Sequence, residues 1–209
     1  MKAKKTRHQE RKEKTKNNLL MAARSLFAEK GFDLTTIDEI TQRANTGKGT
    51  FYYHFRTKEK LINSLIKSVL NELEETIITH CENAARLEDI LEQVLNAHIS
   101  FFSNRWEDFV LYFHGRADLI LDQGYEGINT PFIRYTDTIS SQINRVIASE
   151  LSKRDRRRVA NAIAGFISGY YSFSSISSTE DGDIGEIFQP VRGALISSLI
   201  RFVKSVNNN

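Results

Sequence analysis

The stretch TIDEITQRANTGKGTFYYHFRTK, from Thr36 to Lys58, contains two short helical patterns joined by a tight turn. Thr36 and Glu39 have the spacing of a capping box, which predicts that the first helix starts there. Asn45 and Gly47 supply backbone freedom for the turn, because glycine readily takes a positive φ and asparagine tolerates it. The stretch therefore predicts a helix-turn-helix, with a second helix shaped for the major groove of DNA.

The second helical pattern separates apolar from polar side chains. Phe51 and Phe55 are four residues apart and are predicted to form its buried side. Lys48 and Thr50 stand at the start of the helix, where a lysine can read the acceptor atoms of guanine. The residues predicted to bind DNA are Thr36, Lys48, Gly49, Thr50, Tyr52, Tyr53, His54 and Lys58.

Charge is distributed unevenly along the 209 residues. Residues 1–60 hold 15 Lys and Arg against 7 Asp and Glu, a net charge of +8. Residues 61–209 hold 14 against 19, a net charge of −5. This polarity indicates an N-terminal part that meets phosphates and a larger part that does not. Residues 1–16 have almost no apolar side chain to bury, so we expect them to form a flexible basic arm.

Helical periodicity dominates the chain and predicts an all-α fold of about nine helices. Gly31 is placed to end the first helix, and Thr57 to begin a long fourth helix that runs to about His80. The later helices are predicted near residues 87–103, 105–122, 131–151, 152–177 and 187–206, the last with Pro190 in its first turn. The predicted domains are the arm at 1–16, a three-helix helix-turn-helix domain at 17–60 and a helical C-terminal domain at 61–209.

Three features of the sequence indicate the cellular compartment. Cys81 is the only cysteine, so no disulfide framework exists and a reducing compartment is the natural one. No apolar run approaches the roughly 20 residues that span a bilayer. The N-terminus is too charged for a signal peptide. We therefore expect a soluble, cytoplasmic protein without a membrane partner.

Residues 17–62 resemble the DNA-binding domain of the TetR family of bacterial transcriptional regulators. The resemblance rests on LFAEKGF (Leu26–Phe32), on Thr35-Thr36 with Ile40, and on KGTFYYHFRTKEKL (Lys48–Leu61). It implies that Tyr52 and Lys58 contact phosphates, and that the C-terminal domain binds a small-molecule effector and forms a four-helix dimer interface. The chain departs from the family at Thr41, where alanine is usual, and at the turn 45–47, which is usually Gly-Val-Ser.

Aromatic residues are concentrated between positions 98 and 135, where polar side chains are interspersed with the rings. Ligand pockets are mostly apolar with a few orienting polar groups, and ordinary core packing is the alternative interpretation. The expected effector is aromatic or amphipathic, and the arginines favour an anionic one. The residues predicted to bind it are His98, Phe102, Arg105, Trp106, Phe109, Tyr112, Phe113, Arg116, Phe132, Tyr135, Phe166 and Tyr170.

The last two long helices are predicted to form the dimer interface. The first has a small-sided stripe, which allows another helix to approach closely, and the second has an apolar stripe. The residues predicted to lie in the interface are Ala164, Ser168, Tyr171, Leu195, Leu199 and Phe202. The basic run Lys153–Arg158 is interpreted as the solvated start of a helix.

The sequence contains no pattern that indicates catalysis. Gly47-Lys48-Gly49-Thr50 differs from a phosphate-binding loop because Gln42 stands where that motif needs glycine. The five histidines and one cysteine lack metal-ligand spacing, so neither an enzyme nor a cofactor or metal is expected. The leading hypothesis is a repressor that binds a palindromic operator as a homodimer and is released by an effector. The alternatives are a constitutive or architectural DNA-binding protein and a helical carrier or enzyme.

Overall fold

The computed structural model describes residues 6–103, 105–121, 129–147, 152–177 and 184–207, and only the backbone of 114–121, 129, 173–177, 184–185 and 206–207. These residues form ten α-helices and no strand, so the predicted all-α class is confirmed. The helices are α1 Arg7–Leu34, α2 Ile37–Arg43, α3 Lys48–Phe55, α4 Lys58–Cys81, α5 Leu87–Phe102, α6 Trp106–Leu121, α7 Asn129–Asn144, α8 Lys153–Ser177, α9 Ile184–Phe188 and α10 Arg192–Asn207.

The last predicted helix is two helices in the structure. Helix α9 ends at Phe188 and α10 begins at Arg192, with a turn between them that contains Pro190. Proline has no N–H to donate, and its ring disfavours helical backbone at the preceding residue. Pro190 therefore ends one helix and does not sit in the first turn of the next.

Helix α1 begins ten residues earlier than predicted, so an arm without regular structure is wrong from Arg7 onward. The hydroxyl of Thr6 accepts from the N–H of Gln9, and the Gln9 side chain accepts from the N–H of Thr6, which completes a capping box. The Lys, Arg, Glu and Gln residues that follow are strong helix formers. They extend a helix whose nucleation is already favoured by the apolar residues beyond Leu19. Residues 1–5 lie outside the described residues.

Gly31 interrupts the regular backbone of α1, as predicted. Its φ is +82°, a conformation that side chains with a Cβ rarely adopt. The Thr35 hydroxyl donates to the Gly31 carbonyl at 2.7 Å, and Lys58 Nζ donates to the carbonyls of Phe32 and Thr35 at 2.9 and 3.1 Å. These bonds fix the chain where it leaves α1 and enters α2.

The chain divides into two compact units, and α4 contributes to both. The first unit contains α1, α2, α3, α4 up to Val69, and α6. Its core includes Leu19 and Phe27 of α1, Ile40 of α2 and Phe51 of α3, all almost fully buried. Helix α6 packs on α1, although the sequence predicted it as part of the C-terminal domain. The predicted domain boundary at residue 60 stays a prediction.

The second unit contains α4 from Leu70, α5, and α7 to α10. The largest helix-to-helix packing within it is between α7 and α8. Arg145, just beyond the end of α7, donates from Nη2 to the carbonyls of Cys81 and Ala84 at 3.1 Å each, and so satisfies the end of α4. Cys81 is fully buried, and burial raises the pKa of its thiol to about 11, so the thiol is unreactive.

Candidate nucleic-acid interface

Helix α2 starts at the capping box predicted for it. The Thr36 N–H donates to Glu39 Oε2 at 2.9 Å, and the Glu39 N–H donates to the Thr36 hydroxyl at 3.3 Å. Lys30 of α1 also binds Glu39, and this bond, with the bonds from Thr36, lowers the pKa of the Glu39 carboxyl to about 2. The carboxylate therefore joins α1 to the first turn of α2.

The turn between α2 and α3 depends on asparagine rather than glycine. Asn45 takes a φ of +50°, and asparagine is one of the few residues that tolerate this conformation. Gly47 precedes α3 with a φ of −94°, and no side chain caps this helix. The prediction that Gly47 supplies unusual backbone freedom is therefore wrong, and Asn45 alone has a positive φ in this turn.

Helix α3 presents an aromatic and polar face to solvent, as predicted. Phe51 and Phe55 are buried, whereas Tyr52 and Tyr53 are 50% and 64% exposed. Lys48 and Gly49 are exposed and Thr50 is half-buried at the start of the helix. Helix α3 could therefore enter a major groove with its N-terminal end first.

Lys48 does not stand free in this protein. Its Nζ lies 2.7 Å from Oδ1 of Asp38, which raises the pKa of the lysine. Both side chains are more than half exposed, so the pair is open to competition from an anion such as a DNA phosphate. The pair joins the first turn of α2 to the first turn of α3.

The family resemblance implies that Lys58 contacts a phosphate, and in this structure its ammonium also binds within the first unit. Two of its three N–H donors bind the carbonyls of Phe32 and Thr35, and the side chain is half-buried. Its contact with a phosphate stays a prediction, and these bonds give it a role in fixing the end of α1 against the start of α4.

The structure places two lysines of the predicted basic arm beside the rings of α3. Lys12 Nζ lies 4.8 Å from the centre of the Tyr53 ring, and Lys16 Nζ lies 5.9 Å from that of Phe55. Partial burial lowers the pKa of His54, and the charges of Lys12 and Lys16 lower it further. The four-residue spacing of the two lysines could have indicated one helical face, had α1 been extended to Arg7.

In the second unit, the predicted effector residues His98 and Tyr135 are in direct contact. The ring nitrogen Nε2 of His98 lies 2.6 Å from the Tyr135 hydroxyl, and Nδ1 lies 2.7 Å from the Val94 carbonyl. Nδ1 must donate to that carbonyl, so Nε2 accepts from the tyrosine. Burial lowers the pKa of His98 to about 4, which keeps the ring neutral. The pair is a satisfied core hydrogen bond.

Arg105 is also engaged within the second unit. It binds Glu72 at 2.7 Å, and its guanidinium lies 4.2 Å from the centre of the Phe101 ring. Phe102 and Phe132 are buried. The expectation of an anionic effector relied on free arginines, and Arg105 is already paired with a carboxylate.

The predicted effector residues of α6 belong to the first unit. Trp106 stacks on Phe109 at 5.7 Å, and Phe109 stacks on Phe113 at 6.1 Å, while Tyr112 is buried. Trp106 and Phe113 are 51% and 42% exposed, whereas Phe109 is 4% exposed. The side chain of Arg116 lies outside the described residues. The residues predicted to bind the effector are thus divided between the two units, and a single site that contains all of them stays a prediction.

Two buried carboxylates were missed by the sequence reasoning. Asp108 of α6 is buried in the first unit, 3.0 Å from Nη1 of Arg24 on α1. Glu74 of α4 is buried in the second unit, where its Oε2 accepts from Arg134 at 3.1 Å. Burial raises the pKa of Glu74 and the Arg134 charge opposes the rise. Glu74 Oε1 has no hydrogen-bond partner in the part of the chain that the structure describes.

The face predicted for dimerisation needs correction on α8. Ala164, Ser168 and Tyr171 are buried within the subunit, and the Ser168 hydroxyl donates to the Ala164 carbonyl at 2.8 Å. Phe166 and Tyr170, predicted to bind the effector, stack at 5.6 Å on another side of α8. The sequence could not distinguish these sides because both are rich in small and apolar residues.

Phe166 and Tyr170 line an apolar groove between α8 and α10 with a volume of about 540 Å³. Leu195 and Leu199, both predicted for dimerisation, are less than 10% exposed in this groove. Phe202, the third predicted residue of α10, is 37% exposed. The groove therefore unites three residues predicted for dimerisation with two predicted for the effector.

Comparisons with known proteins agree with this geometry. A model of the DNA-binding region of the bacterial regulatory proteins of the tetR family matches residues 19–65. The FadR regulator of Bacillus subtilis, solved in complex with stearoyl-CoA, has the same fold over 90% of this chain and 96% of its own, with a TM-score of 0.65 and 20% identity. Over residues 19–65 the chain is therefore similar to the bacterial regulatory proteins of the tetR family.

Two curated relatives extend the comparison. The TetC protein of transposon Tn10, from Escherichia coli, is 36% identical over 95 residues, which cover 44% of this chain and 48% of TetC. The chain therefore spans about half the length of TetC. IcaR of Staphylococcus aureus, a negative regulator of a biofilm operon, is 24% identical over 78% of this chain and 85% of its own.

Two further features concern the residues that the structure describes. None of their helices is long and apolar enough to cross a bilayer. They contain no cluster of three or more His, Cys, Asp or Glu side chains that could hold a metal ion.

Proposed function

We propose that this protein is a transcriptional repressor that binds a palindromic operator as a homodimer and is released by a small-molecule effector. The observation that carries the proposal is the exposed face of α3, held by Asn45 and the Thr36–Glu39 capping box. IcaR, a negative regulator, supports repression. The proposal assigns no catalytic activity, and a cytoplasmic location follows because bacterial operators lie in the cytoplasm.

The first unit offers two kinds of DNA contact. Lys48 and Thr50, at the N-terminal end of α3, would meet base edges, and Lys48 would exchange Asp38 for guanine acceptors. Tyr52, with half of its surface exposed, and Lys12, beside Tyr53, would meet phosphates. Phosphate contacts position a protein on the duplex, whereas base contacts select the sequence.

The apolar groove between α8 and α10 supports the dimer. Phe166, Tyr170 and Phe202 expose aromatic surface that a second copy of the groove would cover. A two-fold axis through this interface would pair the recognition helices, and adjacent major grooves of B-DNA are about 34–36 Å apart. The interface would therefore set the spacing of the operator half-sites.

Helix α6 is the proposed link between the effector and DNA. It presents Trp106 and Phe113 at its surface, and its buried Asp108 is paired with Arg24 of α1. A ligand that displaces α6 would therefore displace α1, which carries Lys12 and Lys16. Helix α4 provides a second connection because it passes through both units.

The proposed effector is amphipathic, with an apolar or aromatic body. FadR binds stearoyl-CoA, whose long acyl chain and polar head fit this description. Release requires selectivity between two conformations, since about 10⁴-fold preference moves a 99:1 equilibrium to 1:99.

The release model is tested by fluorescence anisotropy on a duplex to which the full chain binds specifically. Stearoyl-CoA and a set of aromatic acids and amines are titrated while the melting temperature is followed. We expect one ligand class to raise both the melting temperature and the dissociation constant for DNA. A ligand that raises the melting temperature at saturation but leaves DNA affinity unchanged would contradict the switch and leave DNA binding intact.

A further inference from the structure

A second groove lies between α7 and α8, and its lining is charged and polar rather than apolar. Its volume is about 560 Å³, within the roughly 300–1,000 Å³ of small-molecule sites. Four of its lining side chains are cationic, and one is a carboxylate. They are Arg145, Lys153, Arg156 and Arg157, with Asp137.

This positive charge is local and contrasts with its surroundings. Residues 61–209 have a net charge of −5, yet the groove itself sums to +3. Arg157 is 3.8 Å from Asp137, which is too long for a hydrogen bond. Among the described residues, no carboxylate lies within ion-pair distance of Lys153 or Arg156. Arg158, on the same helix but outside the groove, is paired with Asp155 at 3.1 Å.

The walls of the groove are held in place. The guanidinium of Arg145 is fixed by the carbonyls of Cys81 and Ala84 and by Gln142 Oε1 at 2.5 Å. The Ser140 hydroxyl lies 3.1 Å from the Arg156 carbonyl and so ties α7 to α8. A charge that is already positioned loses little conformational entropy when a ligand binds.

We propose that this groove binds an organic phosphate of about nucleotide size. Guanidinium groups match phosphate oxygens with paired hydrogen bonds, and Arg156 and Arg157 with Lys153 suit a ligand of two or more negative charges. The basic run Lys153–Arg158 was interpreted as the solvated start of a helix, which would involve α8 alone. The polar and charged groups of this groove come from both α7 and α8. The site shares no residue with the proposed DNA contacts or with the apolar groove, so it does not depend on the function proposed above.

The test is isothermal titration of the full chain with ADP, adenosine and citrate at fixed ionic strength. ADP is expected to bind, adenosine to bind at least tenfold more weakly because it lacks the phosphates, and citrate to bind more weakly than ADP. Arg156→Gln should weaken ADP about tenfold, as expected for a lost charge-assisted bond. Asp137→Asn should tighten ADP, because it removes the carboxylate that opposes the ligand.

Two controls separate a built site from general attraction of anions. Arg154→Gln removes a charge from the same helix outside the groove, and Lys12→Gln with Lys16→Gln removes the basic surface next to α3. Both should leave ADP affinity unchanged, and melting temperatures verify that each variant folds. Equal binding of ADP and adenosine, equal weakening by Arg154→Gln and Arg156→Gln, or full competition by random duplex DNA would each overturn the proposal.

Discussion

Asp38 of α2 holds Lys48 of α3 in an ion pair of 2.7 Å across the helix-turn-helix. A lysine proposed to read bases is therefore neutralised in the free protein by a carboxylate on the same surface. Asp38 would also repel phosphates that approach α2. We therefore expect the ion pair to limit the affinity of this surface for DNA of any sequence. When DNA binds, Lys48 must exchange Asp38 for an acceptor on the DNA.

We expect Asp38→Asn to tighten binding to all DNA sequences and to reduce discrimination between them. Loss of the Asp38 charge removes its repulsion of the phosphates, so the dependence of log affinity on log salt should steepen by at most about 1. Anisotropy titrations at several salt concentrations measure both quantities. Asp33→Asn removes the same charge from an exposed position in the last turn of α1, and it should have a smaller effect. Equal tightening by both variants would contradict a specific role for the pair.

Thr50→Ala and Tyr52→Phe should separate base reading from phosphate binding. Thr50 lies at the start of α3, so its loss should relax the preference for one base and cost about 1–3 kcal/mol on the best sequence only. Removal of the Tyr52 hydroxyl should weaken all sequences by a similar factor. The measurement is the affinity of each protein variant for a set of operators that differ from one another by a single base. A change of base preference in Tyr52→Phe would refute this division.

His98 should make the fold sensitive to mild acid. Burial lowers the pKa of His98 to about 4 in the folded protein, whereas it is about 6.5 in an unfolded chain. As the pH falls below 6.5, the unfolded chain binds a proton that the folded protein excludes, so the free energy of unfolding decreases. The loss from His98 alone should reach about 3 kcal/mol at pH 4.

Urea unfolding between pH 7 and pH 4 measures this loss. His98→Gln can keep a donor and an acceptor in place without titrating, so its unfolding free energy should fall less steeply with pH. His8→Gln, on an exposed turn of α1, should retain the slope of the parent protein. The same slope in His98→Gln as in the parent would show that other groups cause the acid sensitivity.

Arg56 has a strained backbone that glycine should relieve. Its φ is +61°, and a residue with a Cβ has a cost of about 1–2 kcal/mol in left-handed backbone. We expect Arg56→Gly to stabilise the folded protein by about 1 kcal/mol in chemical unfolding. Arg56→Ala removes the same charge but keeps the Cβ, so it should not stabilise. If both variants have equal stability, the strain is absent.

The sequence was informative where one residue type has one physical use. The Thr36–Glu39 spacing and the pair Phe51 and Phe55 predicted the start of α2 and the buried side of α3, because caps and four-residue spacings have few other meanings. It was less informative where a side chain has two uses. Lys58 can bind a phosphate or a carbonyl with the same ammonium, and the sequence did not show its bonds to the end of α1.

The C-terminal half was harder for the same reason. Helix α8 is apolar or small on several sides, so its periodicity could not show that Ser168 is buried and Phe166 exposed. Lys12 and Lys16 were assigned to a flexible arm because a run of charges is compatible both with an arm and with a helix that depends on later residues for its stability. Contacts between distant segments decided each case.

The central claim is that α3 reads DNA as one half of a symmetric pair. Selection of bound duplexes from a random pool, with the full chain at near-physiological salt, tests it most directly. The account predicts an enriched palindrome with half-site centres one or a few helical turns apart, each turn about 10–10.5 base pairs, and loss of enrichment in Thr50→Ala. A pool without a common sequence, or a site without two-fold symmetry, would contradict the account.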